Sequence, residues 1–211
     1  MMLLLYLPVL FFSVILHEYM HGYVAYRRGD DTAYLMGRLT FNPLPHIDPI
    51  GTIIVPALCF MSGLPIFGWA KPVPVNFTRL YSPQRDMAWV AAAGPLSNVF
   101  LIIFAALALK LLIGLGIHSG ISIALFMVVI QVNLILAIFN MLPIPPLDGS
   151  KVFAALLPRD LAHRYMMLER YSMIIIIVLI LSRALNYILI PAFYFSLSLI
   201  FRFIGVANGQ F

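Results

Sequence analysis

Apolar residues run along this chain in long blocks, and the polar positions between them are few and clustered. A helix needs about 20 mostly apolar residues to cross a bilayer. Four blocks reach that length: Met2 to Tyr26, Met87 to Ile117, Gly120 to Leu142, and Tyr171 to Ile204. The last is too long for one crossing, and Ser182-Arg183-Ala184-Leu185-Asn186 with Pro191 predicts a break into two helices near residues 183 to 190. Ile50 to Phe67 is apolar too, but Gly51, Pro56, Gly63 and Pro65 make it a poor straight helix, so it reads as re-entrant. The expected fold is mainly α: a polytopic helical membrane protein of about five spanning helices with a re-entrant or extended, β-like insert.

That insert, Arg27 to Asp86, is polar and proline-rich, and within it RLTFNPLPHIDP and GWAKPVPVNF read as extended or β segments. Irregular backbone at membrane depth is tolerated only where protein covers it or where it lines a wet cavity. The insert therefore hints at a site. No internal repeat or low-complexity tract interrupts the plan, which is a single integral-membrane domain over residues 1–211. Its parts are a first helix over 2–26, the insert over 27–86, core helices over 87–142, a segment over 143–158 and C-terminal helices over 163–204.

Composition narrows the class. Of 211 residues, 63% are hydrophobic and 10% charged, which excludes disorder and nucleic-acid binding as primary readings. The formal charge of +5, from 13 Lys+Arg against 8 Asp+Glu, fits loops at an anionic membrane surface. Arg27, Arg28, Arg38, Lys71, Arg79 and Arg85 fall in the first connection, Lys151, Arg159, Arg164 and Arg170 after the third clear span, and none near His118. The positive-inside rule then puts both basic connections in the cytoplasm and the N-terminus outside. MMLLLYLPVLFFSVIL lacks a basic n-region and a cleavage site and continues into HEYMH, so it reads as a membrane helix rather than a signal peptide. Cys59 has no second cysteine to pair with and reads as a buried, inert thiol.

His17-Glu18-Tyr19-Met20-His21 carries the chemistry. In a helix, imidazoles at i and i+4 share a face and can ligate one metal ion, with Glu18 beside them as general base. Five histidines and two glutamates in the chain make that string a roughly once-in-a-thousand accident for this composition. Ionisable groups inside an apolar helix cost a few kcal/mol apiece and are functional by default. A catalytic zinc takes three protein ligands and leaves one position open. The third comes from elsewhere: His46, His118, Asp48 and Asp148 have the character, and Asp148 stands out because it follows Asn140-Met141-Leu142-Pro143-Ile144-Pro145-Pro146-Leu147, where prolines break a membrane helix. Ligands must also meet at one depth. If Ile50 to Phe67 spans, Asp148 emerges on the far side from the histidines; if it is re-entrant, Asp148 lands beside them.

HEYMH, Gly94-Pro95-Leu96-Ser97-Asn98 and Phe139-Asn140-Met141-Leu142-Pro143-Ile144-Pro145-Pro146-Leu147-Asp148-Gly149 together resemble the site-2 protease family of intramembrane zinc metalloproteases. The likeness covers residues 10 to about 157 and is to the compact prokaryotic type without a PDZ or CBS domain. It implies one zinc per chain held by His17, His21 and Asp148, water activated by Glu18, and Asn140 steadying the oxyanion. It also implies a transmembrane protein substrate and an inner (plasma) membrane location with the active site toward the cytoplasm. Two departures follow from the same comparison: a family helix preceding HEYMH is missing, and the insert over 50–67 is longer than in the shortest family cores.

Other polar positions have plainer readings. Gly94, Pro95 and Asn98, with Ala91 to Ala93, read as close helix packing, and Gln131 and Asn133 as hydrogen-bonding glue between helices. Trp69 and Trp89 read as interface anchors. His46 and Asp48 suit a turn or a supporting role better than ligation. Phe67 to Asn76 could receive an extended substrate by strand addition, although Pro72 and Pro74 remove two donors. Competing functions are a metal-handling transporter, disfavoured because neither inverted repeats nor several membrane charges per half are seen, and a helix-capturing adaptor, disfavoured by an intact Glu18.

Overall fold

The computed structural model describes residues 2–62, 68–117 and 119–205. The first helix, α1 (Met2–Arg27), carries HEYMH in its last three turns. The short α2 (Thr32–Leu35) and α3 (Val55–Met61) belong to the insert. Two long helices follow, α4 (Pro83–Gly114) and α5 (Gly120–Asn140), then α6 (Asp148–Leu156), α7 (Arg159–Met166), α8 (Ser172–Leu181) and α9 (Asn186–Ile204). The mainly helical expectation holds. Among the described residues three helices, α4, α5 and α9, are long and apolar enough to cross a membrane, against an expected count of about five. The predicted break in the last apolar block falls at residues 182–185, with Arg183 in the left-handed region at φ 56°. Pro191 sits inside α9 instead of ending it.

The insert is less β-like than its prolines suggest. There is no strand among the described residues. RLTFNPLPHIDP folds into turns with a 3-10 turn at Leu44–His46, where Pro43 and Pro45 favour tight local bonds over a ladder. Residues 68–76 run as irregular chain, tied back by Trp69 N–H to the Gly51 carbonyl (3.1 Å) and Lys71 N–H to the His46 carbonyl (2.9 Å). Pro49–Ile54 and α3 form one short apolar stretch of helical turns; at about 1.5 Å rise per residue it falls short of a bilayer core of about 30 Å. Residues 63–67, the rest of the proposed re-entrant segment, lie outside the described residues, as does His118.

Helix α4 is the axis of the molecule and packs against α1, α5, α6 and α9. Its buried small residues, Ala91, Ala93, Gly94, Ala105 and Ala106, let those neighbours approach closely, as membrane helices require where lipid supplies no hydrophobic drive. Away from the insert, Ile102, Leu109, Met127, Ile130, Leu134 and Leu197 from α4, α5 and α9 fill the main core. At the opposite end, Arg28 donates to Asp86 (3.0 Å), whose other oxygen accepts from Ser82 N–H (2.8 Å). That joint fastens the end of α1 to the start of α4 and sets the register between the histidines and α4.

Candidate metal centre

The spacing of HEYMH puts His17 and His21 on the α1 face that meets α4, where both are buried. Asp148 arrives from a different direction. After α5 ends at Asn140, the Met141–Leu147 turns fold the chain back, with Leu147 N–H bonded to the Ile144 carbonyl (2.9 Å), and α6 opens on Asp148. Gly149 is required there: a Cβ on it would strike the backbone carbonyls of Met141 and Leu142. The first turn of a helix also suits a carboxylate electrostatically.

The three groups converge. Asp148 Oδ2 lies 3.1 Å from His17 Nε2 and 3.2 Å from His21 Nε2, and one ligand atom from each residue falls within 4.8 Å of the others. Ligands about 2.0 Å from a tetrahedral centre are about 3.3 Å apart, so the two histidine–aspartate separations match two edges of a zinc-sized site. Proton placement tests the fit further. His21 Nδ1 donates to the Val90 carbonyl (2.7 Å) and His17 Nδ1 to Asn98 Oδ1 (2.6 Å). With Nδ1 of each ring engaged, both Nε2 atoms are left facing the Asp148 carboxylate oxygen. Two imidazole nitrogens and one carboxylate oxygen turned to one point are a donor set that fits a metal ion.

Gly94 completes the cradle. A Cβ at this position on α4 would fall well inside van der Waals contact of both His17 Nε2 and His21 Nε2. Its role is room at the ring nitrogens, beyond the helix packing that its small size suggests in the sequence. Asn98, read with Gly94 as close helix packing, bonds the His17 ring. A signal for both existed, since they are four apart in one helix and share a face, but nothing in the sequence says that face meets HEYMH.

Glu18 points into a cleft of about 640 Å³ that also takes in His17, His21, Asp148 and Asn140. Its Oε2 accepts from the Val73 N–H at 2.8 Å. Pro72 and Pro74 have no N–H, so Val73 brings the lone donor of that tripeptide to the carboxylate. Arg38, buried in the insert, donates to the carbonyls of Lys71 (2.9 Å) and Pro72 (3.1 Å) and holds this strap across the cleft. Asn140 donates to the Leu136 carbonyl (3.0 Å) along its own helix. The strap's Trp69, read as an interface anchor, lines the cleft and abuts Gly51.

The other candidate ligands lie elsewhere. His46 Nε2–H donates to the Thr40 carbonyl (3.0 Å), and Asp48 accepts from the N–H groups of Ile50 (2.9 Å) and Gly51 (2.8 Å), capping the turn that starts the short apolar helix. Among the described residues, His17, His21 and Asp148 form the cluster able to hold a metal.

Comparison with known proteins agrees with this geometry. The family model described as Peptidase family M50 matches residues 115–182, which contain Asn140 and Asp148. A Bacillus subtilis protein named "Putative zinc metalloprotease YwhC" is 40% identical over 184 residues, covering 85% of this chain and 81% of its own length. The chain belongs to peptidase family M50. Rip2 of Mycolicibacterium smegmatis, named in the same terms, is 28% identical over 211 residues, 94% of this M50 peptidase and 75% of its own length. MJ0611 of Methanocaldococcus jannaschii, likewise so named, is 38% identical over 95 residues, 41% and 44% of the two chains. No solved structure matches. Membership of a peptidase family removes the transporter and adaptor readings as the main function.

Proposed function

We propose that this M50 peptidase is a zinc-dependent intramembrane endopeptidase that hydrolyses peptide bonds in transmembrane or membrane-proximal segments. His17, His21 and Asp148 ligate the zinc and Glu18 is the general base. The convergence of the three residues from α1 and α6 on one point carries this reading. Relatives named as zinc metalloproteases support the choice of metal. A zinc ion there supplies a Lewis acid for the scissile carbonyl and lowers the pKa of water.

The chain's own residues supply the rest. Glu18 takes a proton from the attacking water and returns it to the departing amine. The Val73 N–H orients that carboxylate in the meantime. Asn140, on the wall of the same cleft, keeps a second amide hydrogen beyond the one given to Leu136 and offers it to the developing oxyanion. The rest of the cleft wall is mostly apolar, with Val14, Val90, Leu136, Phe139 and Met173 suited to an apolar substrate segment.

The membrane setting rests on α4, α5 and α9, with α1 as a further span and the Ile50 to Phe67 stretch re-entrant. In this reading the single domain sits in a prokaryotic plasma membrane. The basic positions around Arg28 and Arg79, and those on α6 and α7, then share the cytoplasmic side with the metal centre.

Glu18→Gln separates the roles: the purified variant should hold as much zinc as wild type and cleave a transmembrane substrate at least about 100-fold more slowly. Unchanged cleavage would remove Glu18 from the chemistry. Zinc lost together with activity would make Glu18 part of the metal site.

A further inference from the structure

His17 and His21 present bare Nε2 atoms by different means. His21 Nδ1 faces the Val90 carbonyl, which only accepts, so the backbone itself keeps the proton on Nδ1. His17 Nδ1 faces the side chain of Asn98, an amide that offers either an oxygen or an NH2 depending on which way it is turned. Turned the wrong way, Asn98 would aim hydrogens at Nδ1, move the ring proton to Nε2 and occupy the lone pair a metal needs.

What orients Asn98 lies on α5. Asn98 Nδ2 donates to Asn133 Oδ1 at 2.8 Å, and Asn133 Nδ2 donates to the Val129 carbonyl at 2.8 Å and to Ser13 Oγ at 2.9 Å. The Val129 carbonyl cannot donate, so Asn133 has one satisfied orientation. Its Oδ1 must then face Asn98, Asn98 Oδ1 must face His17, and His17 must carry its proton on Nδ1. Asn98 and Asn133 are both 0% exposed, so no bulk water can stand in for a mismatched partner.

We infer that Asn133 is a positioning residue of the metal centre, acting through Asn98 to hold His17 in the Nδ1–H tautomer whose Nε2 can ligate a cation. This rests on the reading of His17 as a ligand. The same residue also ties α5 to α1 through its donor bond to Ser13 Oγ, and the test must separate orientation from stapling. The acceptor oxygen serves orientation; the donor bond to Ser13 serves the staple.

Two readouts on the full chain in detergent do so: imidazole nitrogen NMR of the metal-free protein, which reports the tautomer of His17, and zinc affinity by chelator competition. Asn133→Leu should lose the Nδ1–H tautomer of His17 and bind zinc at least about tenfold more weakly. Asn133→Asp discards the donor bonds but keeps an acceptor toward Asn98, and should retain both the tautomer and zinc binding within about threefold, well inside the loss that removal of an outer ligand partner causes. Asn98→Asp combined with Asn133→Leu should restore the tautomer, because a carboxylate cannot be turned to donate.

An unchanged tautomer in Asn133→Leu overturns the inference. So does its loss in Asn133→Asp, or a double variant that is not rescued, since either marks a staple. If Asn133→Leu does not fold, Asn133→Asp decides alone in the same sense. A wild-type chain with the expected tautomer and its dependence on Asn133 but no zinc at His17 would remove the ligand reading and leave the relay standing.

Discussion

Single atoms decide whether this site can hold an ion. Gly94 is the clearest case, because two physical effects oppose each other there. In a helix interior Ala is favoured over Gly by up to about 1 kcal/mol, so Gly94→Ala should tighten α4 as an isolated element. The same Cβ would intrude on both Nε2 atoms, and the rings cannot withdraw without breaking their bonds to Asn98 and Val90. Gly94→Ala should therefore fold and bind little zinc, read as metal per chain after dialysis. A variant retaining about one zinc would mean that α4 stands farther from the rings than this geometry has it. The HEYMH residues were legible in the sequence because a fixed i, i+4 spacing has one geometric meaning in a helix. Gly94, Asn98 and Asn133 were legible only as small or polar residues in a membrane helix, since the partners that matter lie on other helices, 35 or more positions away.

Elements carry the next layer, and the strap over residues 68–76 is the one whose sequence and structure differ most. Its prolines predict extended chain open to strand addition, yet Val73 N–H is already given to Glu18 and Asn76 N–H to Asp30 (2.6 Å). Alternating prolines leave few donors for a substrate strand. The strap's direct service is to Glu18. Val73→Pro removes that donor and Val73→Ala keeps it, so the pair isolates the N–H from the side chain. A hydrogen bond to a charged group is worth about 1.5–3 kcal/mol, so Val73→Pro should lower kcat about tenfold or more at full zinc occupancy, with Val73→Ala close to wild type. Equal activity in the two would remove the bond from the mechanism, and equal loss would point to the buried side chain instead. The break between α8 and α9 belongs to the same scale: polar residues at 182–186 marked it correctly, while Pro191 sits inside α9 and costs that helix one backbone donor without ending it.

At the scale of the whole molecule, the site exists only because remote segments close on each other. His17 and Asp148 are separated by 131 positions, and no local rule joins them. Chelation should abolish cleavage and added zinc restore it, measured on a transmembrane substrate in detergent or vesicles. Activity that persists after complete removal of zinc would defeat the metallopeptidase mechanism. Orientation is separately testable: with Cys59 replaced, single cysteines at Arg27 and Arg85, which bracket the insert, should both label from the cytoplasmic side. Labelling from opposite sides would overturn the re-entrant insert. The sequence by itself determined the helical class, the apolar blocks, the break near 182–186 and the shared face of the two HEYMH histidines, because each depends on neighbours along one chain and on the period of a helix. The tertiary structure alone decided that Asp148, and not His46 or Asp48, meets the histidines, that Gly94 leaves space beside the ring nitrogens, and that a buried amide on α5 bonds the amide facing His17. Those are contacts between elements, and they follow from how α1, α4, α5 and α6 pack, which no spacing along the chain encodes.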